Sequence, residues 1–422
     1  MKNLKLYIVV CLIIITKTTF SQQFSQNFTD KTLRIDYYHI GDFKVDSIKI
    51  AKTQFFENWA GSQINLIDTF NYGSYYITMY DSVSNILIYS HGYSTLFEEW
   101  RTTPEAKISK KTFEETCLLP MPKKSVKIEI KHRKKDGKYY AFNYFYLNPK
   151  TVNKSKNKKL AIENLHIGGK TNSCYDIVIV PDGYSIKDSL KLKQDFARFC
   201  DYIVKCNPYS DIKNKINIRG VWAFSKESGI TDPNISVFRN TIIGSSFNTI
   251  GSDRYLMTLN VWQLQNITES APFDGILIMS NTKKYGGGGI YNYYATVSSD
   301  DANSNYVCVH ELGHSISGLA DEYYTSEVAV EDFYNLNVEP WEPNITTLVD
   351  FDKKWKSMLP NNIIIPTPNN GIDELGVYEG AGYMSKGIFR PALYCTMKEI
   401  RYNNFCPVCT RSIIQMIDFY SK

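Results

Sequence analysis

The sequence predicts a multidomain α+β protein, with an N-terminal antiparallel β-sandwich over residues 22–150 and an α/β domain over residues 169–422. Three observations lead there. Residues 23–148 carry short alternating segments rich in β-branched and aromatic residues, and no helical pattern competes with them. From residue 169 onward, continuous apolar runs alternate with segments of helical spacing. Between the two, PKTVNKSKNKKL at 149–160 is polar and basic, the composition of a linker, which is placed at residues 151–168.

The first half reads as strands at LRIDYYHI (33–40), SYYITMY (74–80), NILIYS (85–90), SVKIEI (125–130) and YYAFNYFYL (139–147), separated by polar, Gly and Lys stretches. A small antiparallel sandwich is the simplest assembly of such segments. In the second half, YDIVIV (175–180) and DGILIMS (274–280) are apolar throughout, as in strands buried on both faces. INIRGVWAF (216–224) is a third strand. Helices are expected over 187–205, 255–265 and 303–318, the last ended by Gly318, and within 405–420. There is no internal repeat.

A formal charge of +5 on 422 residues, with the basic residues in short runs, does not describe a nucleic-acid binder. Lys2 and Lys5 precede the apolar run Leu6–Ile15, and the small or polar residues Thr16–Ser21 follow. That is the pattern of a secretory signal peptide over residues 1–21. The run is about ten residues, too short to span a bilayer that needs about 20. No later segment is apolar enough to do so, so no transmembrane segment is expected in the mature chain. Export to the cell surface, the periplasm or the medium follows. Eight cysteines then remain, an even number that permits disulfides. Cys406-x-x-Cys409 has no second such pair and no nearby His, so disulfide or buried thiols are expected there rather than a structural zinc site.

Chemistry concentrates at residues 310–324, HELGHSISGLADEYY. On a helix, His310 and His314 lie about 40° apart on one face, one turn above the other. Two imidazoles so placed can bind one Zn²⁺ at about 2.0–2.1 Å. Glu311, beside the first His, can take a proton from a metal-bound water as it attacks a carbonyl and pass it to the leaving amine. A catalytic zinc needs a third protein ligand. No His follows His314. Asp321 stands three residues after Gly318, where the chain turns; Glu322 is its nearest competitor, and Glu327 or Glu331 would serve if the ligand came from a second helix. Asp321 or Glu322 can alternatively orient a ligand histidine by hydrogen bonding.

This stretch resembles the signature of the IgA-peptidase family of bacterial zinc metallopeptidases, in which HExGH is joined to a following LxDEY. YDIVIVPDGY (175–184), RNTIIGSSF (239–247) and FDGILIMSNTKKYGGGGI (273–290) resemble further segments of that family in the same order. The resemblance covers roughly residues 170–415, and the β-rich half is similar to the family's N-terminal domain. It implies a metzincin-like peptidase domain. In metzincins the pattern is HExxHxxGxxH; here one residue is inserted before the Gly, and Asp321 stands at the third-ligand step. Cys395-Thr396-Met397 resembles the metzincin Met-turn, which makes Met397 the apolar floor of the site. The family takes its name from cleavage of immunoglobulin A by one member, a specificity that does not travel with the motif.

Gly286, Gly287, Gly288 and Gly289 lack the Gly-Lys-Ser/Thr ending of a phosphate loop, so no nucleotide is expected. Four glycines instead permit close backbone approach, and an edge there can pair with an extended peptide substrate. Tyr323 and Tyr324 are candidate supporting groups around the site, or donors to an oxyanion. The reading is therefore an exported zinc endopeptidase acting on protein or peptide. Two others are kept: a non-catalytic surface protein that binds glycan or protein, and a zinc amidase acting on cell-wall peptide. Glu311 separates the first of these, since a pure binder has little need of the general base.

Overall fold

Alternation in the first half builds two stacked sheets. The computed structural model describes residues 24–324, 334–400 and 402–421; the expected signal peptide and the candidates Glu327 and Glu331 fall outside them. The strands are β1 (Phe28–Gly41), β2 (Asp46–Glu57), β3 (Tyr75–Asp81), β4 (Leu87–Tyr93), β5 (Lys111–Pro122), β6 (Val126–Arg133), β7 (Tyr139–Leu147) and β8 (Asn153–Lys154). They form the sheets β5-β1-β2-β8 and β4-β3-β6-β7, antiparallel except for the short β2–β8 pairing. Leu33, Ile35 and Leu119 of one sheet and Ile77, Met79, Ile128 and Ile130 of the other share one core. The short helix α1 (Phe24–Asn27) precedes β1, and α2 (Leu96–Trp100) follows β4.

The second half is a six-stranded sheet of order β13-β14-β12-β10-β11-β9. Its strands are β9 (Ile162–Ile167), β10 (Tyr175–Asp182), β11 (Ile216–Val221), β12 (Gly275–Ser280), β13 (Gly287–Ile290) and β14 (Tyr294–Ser298). The four central strands are parallel, and both edges, β13 and β9, are antiparallel to their neighbours. Along β10, Ile177 and Ile179 face the helices α3 (Ser189–Val204), α5 (Ser304–Ser317) and α6 (Pro407–Ser421), while Val178 and Val180 face α4 (Val261–Thr268). Cover on both faces explains the unbroken apolar runs. A hairpin of β15 (Tyr378–Ala381) and β16 (Met384–Arg390) follows the described part of the 334–377 segment. No helix among the described residues is long and apolar enough to cross a membrane.

Two expectations change. The helix expected over 255–265 starts only at Val261. Asn260 Nδ2 donates to the Ile243 carbonyl (3.0 Å) and the Asn260 amide donates to Thr258 Oγ1 (3.0 Å), so side chains compete with the first helical turn. The expected linker at 151–168 is not a plain tether: β8 pairs with β2, and β9 forms an edge of the second sheet.

Arg34, a charged side chain on β1, is only 1% exposed. Its guanidinium meets Asp36 (2.7 Å) on its own strand, and Glu269 (2.9 Å), Asn266 (2.8 Å) and the Trp262 carbonyl (3.0 Å) at α4 and its C-terminal end. Arg34→Ala would strand Glu269 and Asp36 as buried charges. Such a loss costs about 3–5 kcal/mol, to be read from urea unfolding of the whole chain. A cost below about 1 kcal/mol would show that water replaces the guanidinium.

Candidate metal centre and active site

Helix α5 carries both histidines, and its C-terminal turn builds the rest of the site. Gly318 adopts φ +62°, a conformation that costs a side chain dearly. The turn aims the Leu319 carbonyl back at the helix, where it accepts from His314 Nδ1 at 2.5 Å. His310 Nδ1 donates to the Thr396 carbonyl at 2.9 Å, and the Tyr306 hydroxyl donates to the same oxygen at 2.8 Å. A carbonyl only accepts, so each Nδ1 carries a proton and Nε2 is the ring nitrogen left to face a metal.

Those two Nε2 atoms lie 3.1 Å apart, and Asp321 Oδ1 lies 3.2 and 3.4 Å from them. Three potential ligand atoms thus face one another in a triangle that is buried except at His314, which is partly open. Asp321 Oδ1 has no hydrogen-bond partner among the described residues. A tetrahedral ion about 2.0–2.1 Å from each donor would set edges of about 3.3 Å, which the triangle matches. The electrostatics agree. Burial alone would lower the His314 pKa, but Asp321 and Glu311 outweigh it and raise it to about 9. Burial opposes ionisation of Asp321, yet the two histidines hold its carboxyl well below the usual carboxylate range. The site collects positive charge.

Glu322 takes no part in this triangle. Glu322 turns away from the histidines into a cluster of cysteines. Its Oε1 accepts from Asn344 Nδ2 at 3.0 Å and lies 3.1 Å from Cys409 Sγ. All eight described cysteines are free, including Cys406 and Cys409, for which disulfide or buried thiols were expected.

Glu311 stands between the histidines and β13. Burial raises its pKa against the opposing pull of His310 and His314. The glycines let this happen. A Cβ on Gly289 would come within 2.4 Å of the Glu311 carbonyl, and one on Gly287 within 3.1 Å of Glu311 Oε1. Gly286 and Gly288 are equally confined, against Phe247 and Tyr255. The four glycines form an edge strand and its approach rather than a free loop, and Tyr255 pairs with the outer side of Gly287.

Met397 is fully buried and packs on Gly313, the residue before His314. The Tyr323 ring rests against Tyr383, whose hydroxyl donates to Asp321 Oδ2. Tyr324 instead packs on Gly380 and beneath the Arg390 guanidinium. Four participants were not found by reading the sequence: Thr396 and Tyr383, which brace His310 and Asp321; Arg254, whose charge acts on Glu311 and Asp321; and Glu99. Glu99 comes from α2 of the sandwich half. Burial raises its carboxyl to about 7, although the Tyr255 hydroxyl donates to it. Lone residues on unrelated segments leave no spacing to read.

Two groups of described side chains could hold a metal ion: His310, His314 and Asp321, and separately Glu322 with Cys395, Cys406 and Cys409. A family model described as IgA Peptidase M64 matches residues 163–374 and 369–417, and one described as Peptidase M64 N-terminus matches residues 23–143. No curated protein matches the chain. The family matches cover most of the chain, sandwich and α/β half alike, and the α/β match spans the histidine helix: the protein belongs to the IgA peptidase M64 family.

Proposed function

We propose that this peptidase is an exported zinc endopeptidase of metzincin-like architecture, with His310, His314 and Asp321 as metal ligands and Glu311 as general base. The observation that carries the reading is the triangle of His310 Nε2, His314 Nε2 and Asp321 Oδ1, which has the size and donor set of a cation site. Two imidazoles and one carboxylate are a donor set suited to zinc with an open fourth position. Bound there, zinc would supply Lewis acidity for the scissile carbonyl and would lower the pKa of water.

The chain's own groups do the rest. The Thr396 and Leu319 carbonyls fix both ring orientations. Tyr383 holds Asp321 through its second oxygen. Glu311 takes the proton of the attacking water and returns it to the leaving amine; a carboxyl raised by burial suits a group that must be base and then acid. Tyr323 stands beside Asp321 as a candidate donor to the developing oxyanion. Met397 and Gly318 supply the apolar floor and the return turn that support the metzincin-like comparison. The leader-like pattern of residues 1–21 supports export.

The test is cleavage of a broad peptide and protein panel by the purified mature chain. Cleavage is expected, abolished by 1,10-phenanthroline and restored by zinc. Folded, zinc-loaded protein that cleaves no panel member, or cleavage indifferent to chelation, overturns the reading.

A further inference from the structure

We propose that Glu322, Cys395, Cys406 and Cys409 form a second metal site, a closed structural zinc centre that clamps the two loops bracing the histidine site.

Neither CxxC nor any single segment announces it. Cys406 and Cys409 open α6, Cys395 precedes the Thr396 carbonyl, and Glu322 follows Asp321. Folding brings one ligand atom from each within 4.8 Å of all the others. Cys395 and Cys409 sulfurs are 3.8 Å apart, and Glu322 Oε1 lies 3.1 Å from Cys409 Sγ and 4.0 Å from Cys406 Sγ. A tetrahedral zinc with sulfur at about 2.3 Å and oxygen at about 2.0–2.2 Å requires edges of about 3.8 Å between sulfurs and about 3.6 Å between sulfur and oxygen. The Cys395–Cys409 edge matches the first value, and the two Glu322–sulfur distances bracket the second.

Three further observations point to an ion rather than to packed thiols. Glu322 is 0% exposed, and its Oε2 has no hydrogen-bond partner among the described residues. A buried carboxylate with one oxygen left without a partner is costly unless it is paired or bound to metal. Backbone amides of Met397 and Cys406 point at Cys395 Sγ (3.4 and 3.3 Å), and that of Cys409 at Cys406 Sγ (3.5 Å), the hydrogen-bond pattern common around metal-bound cysteine sulfurs. Cys406 and Cys409 also sit at the positive end of a 15-residue helix. Three thiolates and a carboxylate in a closed tetrahedral set select zinc among common divalent ions.

The consequence is mechanical. Asp321 and Glu322 are neighbours, and the Glu322 amide donates to the Met397 carbonyl at 2.8 Å. One ion would therefore fix the segment after α5 that presents Asp321 and the turn whose Thr396 carbonyl orients His310.

Zinc content and cobalt spectra of the full mature chain test this. Wild type should carry two zinc ions per chain, and the double variant His310→Ala/His314→Ala one. Reloaded with cobalt, that double variant should show the intense near-ultraviolet thiolate-to-cobalt charge-transfer absorption, and Cys409→Ser in the same background should lose it. Should Cys409→Ser not fold, thiol titration of the wild type decides: native Cys395, Cys406 and Cys409 should react only after chelator is added, and all eight cysteines should titrate in denaturant. One zinc in wild type with none in the double variant overturns this site while leaving the histidine site standing. Six titratable thiols, or iron with inorganic sulfide in place of zinc, also overturn it. Equal zinc in wild type and the double variant would instead overturn the histidine assignment.

Discussion

Glu311→Gln will fold, bind zinc at the histidine site as wild type does, and lose peptide cleavage by at least about 10²–10⁴-fold. Gln keeps the shape and one carbonyl oxygen of Glu, so the close packing against Gly287 survives; only the ability to accept and return a proton is removed. Arg254 and the histidines also lose a negative neighbour, which leaves the metal site slightly less attractive to cations. That effect is small beside the loss of the base. The measurement is single-turnover cleavage of a panel substrate with zinc content determined on the same sample. A folded, zinc-loaded Glu311→Gln that cleaves at the wild-type rate removes Glu311 from the mechanism, and Glu99 becomes the carboxylate to examine.

The second large effect is on metal affinity. Asp321→Ala takes one corner from the triangle and releases Tyr383, so zinc at the histidines should weaken by more than the about 10–100-fold that outer partners typically cost. Glu322→Ala should leave the histidine ligands in place and act on the cysteine cluster instead. Competition against a chromophoric chelator reads the first. Histidine-site affinity within tenfold of wild type in Asp321→Ala would return the ligand search to other carboxylates.

Much of the histidine site could be read from the sequence because it is local. HELGH lies on one helix, so spacing alone pairs the two histidines and places Glu311 beside them, and the turn at Gly318 narrows the third ligand to a few nearby carboxylates. The strands of the sandwich were legible for a similar reason: β6 alternates buried and half-buried residues along its length. What escaped depends on contacts between distant segments. The strand β13 is three glycines and an isoleucine, which carry no alternation and read as a loop. Cys395 and Glu322 lie 11 and 84 residues before Cys406, so Cys406-x-x-Cys409 looked incomplete. The choice between Asp321 and Glu322 turned on which of two adjacent side chains faces the histidines, and composition does not encode that.

Arg34 makes the sandwich a wall of the neighbouring half rather than an appendage. Its guanidinium neutralises Glu269 at the end of α4, while Phe97, Trp100 and Phe113 share a core with Val178 and Ile278 of the other sheet. Neither half therefore has a surface of its own along this seam. Separating them would expose apolar side chains and deprive Glu269 of its guanidinium at once, so the two halves are expected to melt as one cooperative unit, to be read as a single coincident transition by calorimetry and fluorescence.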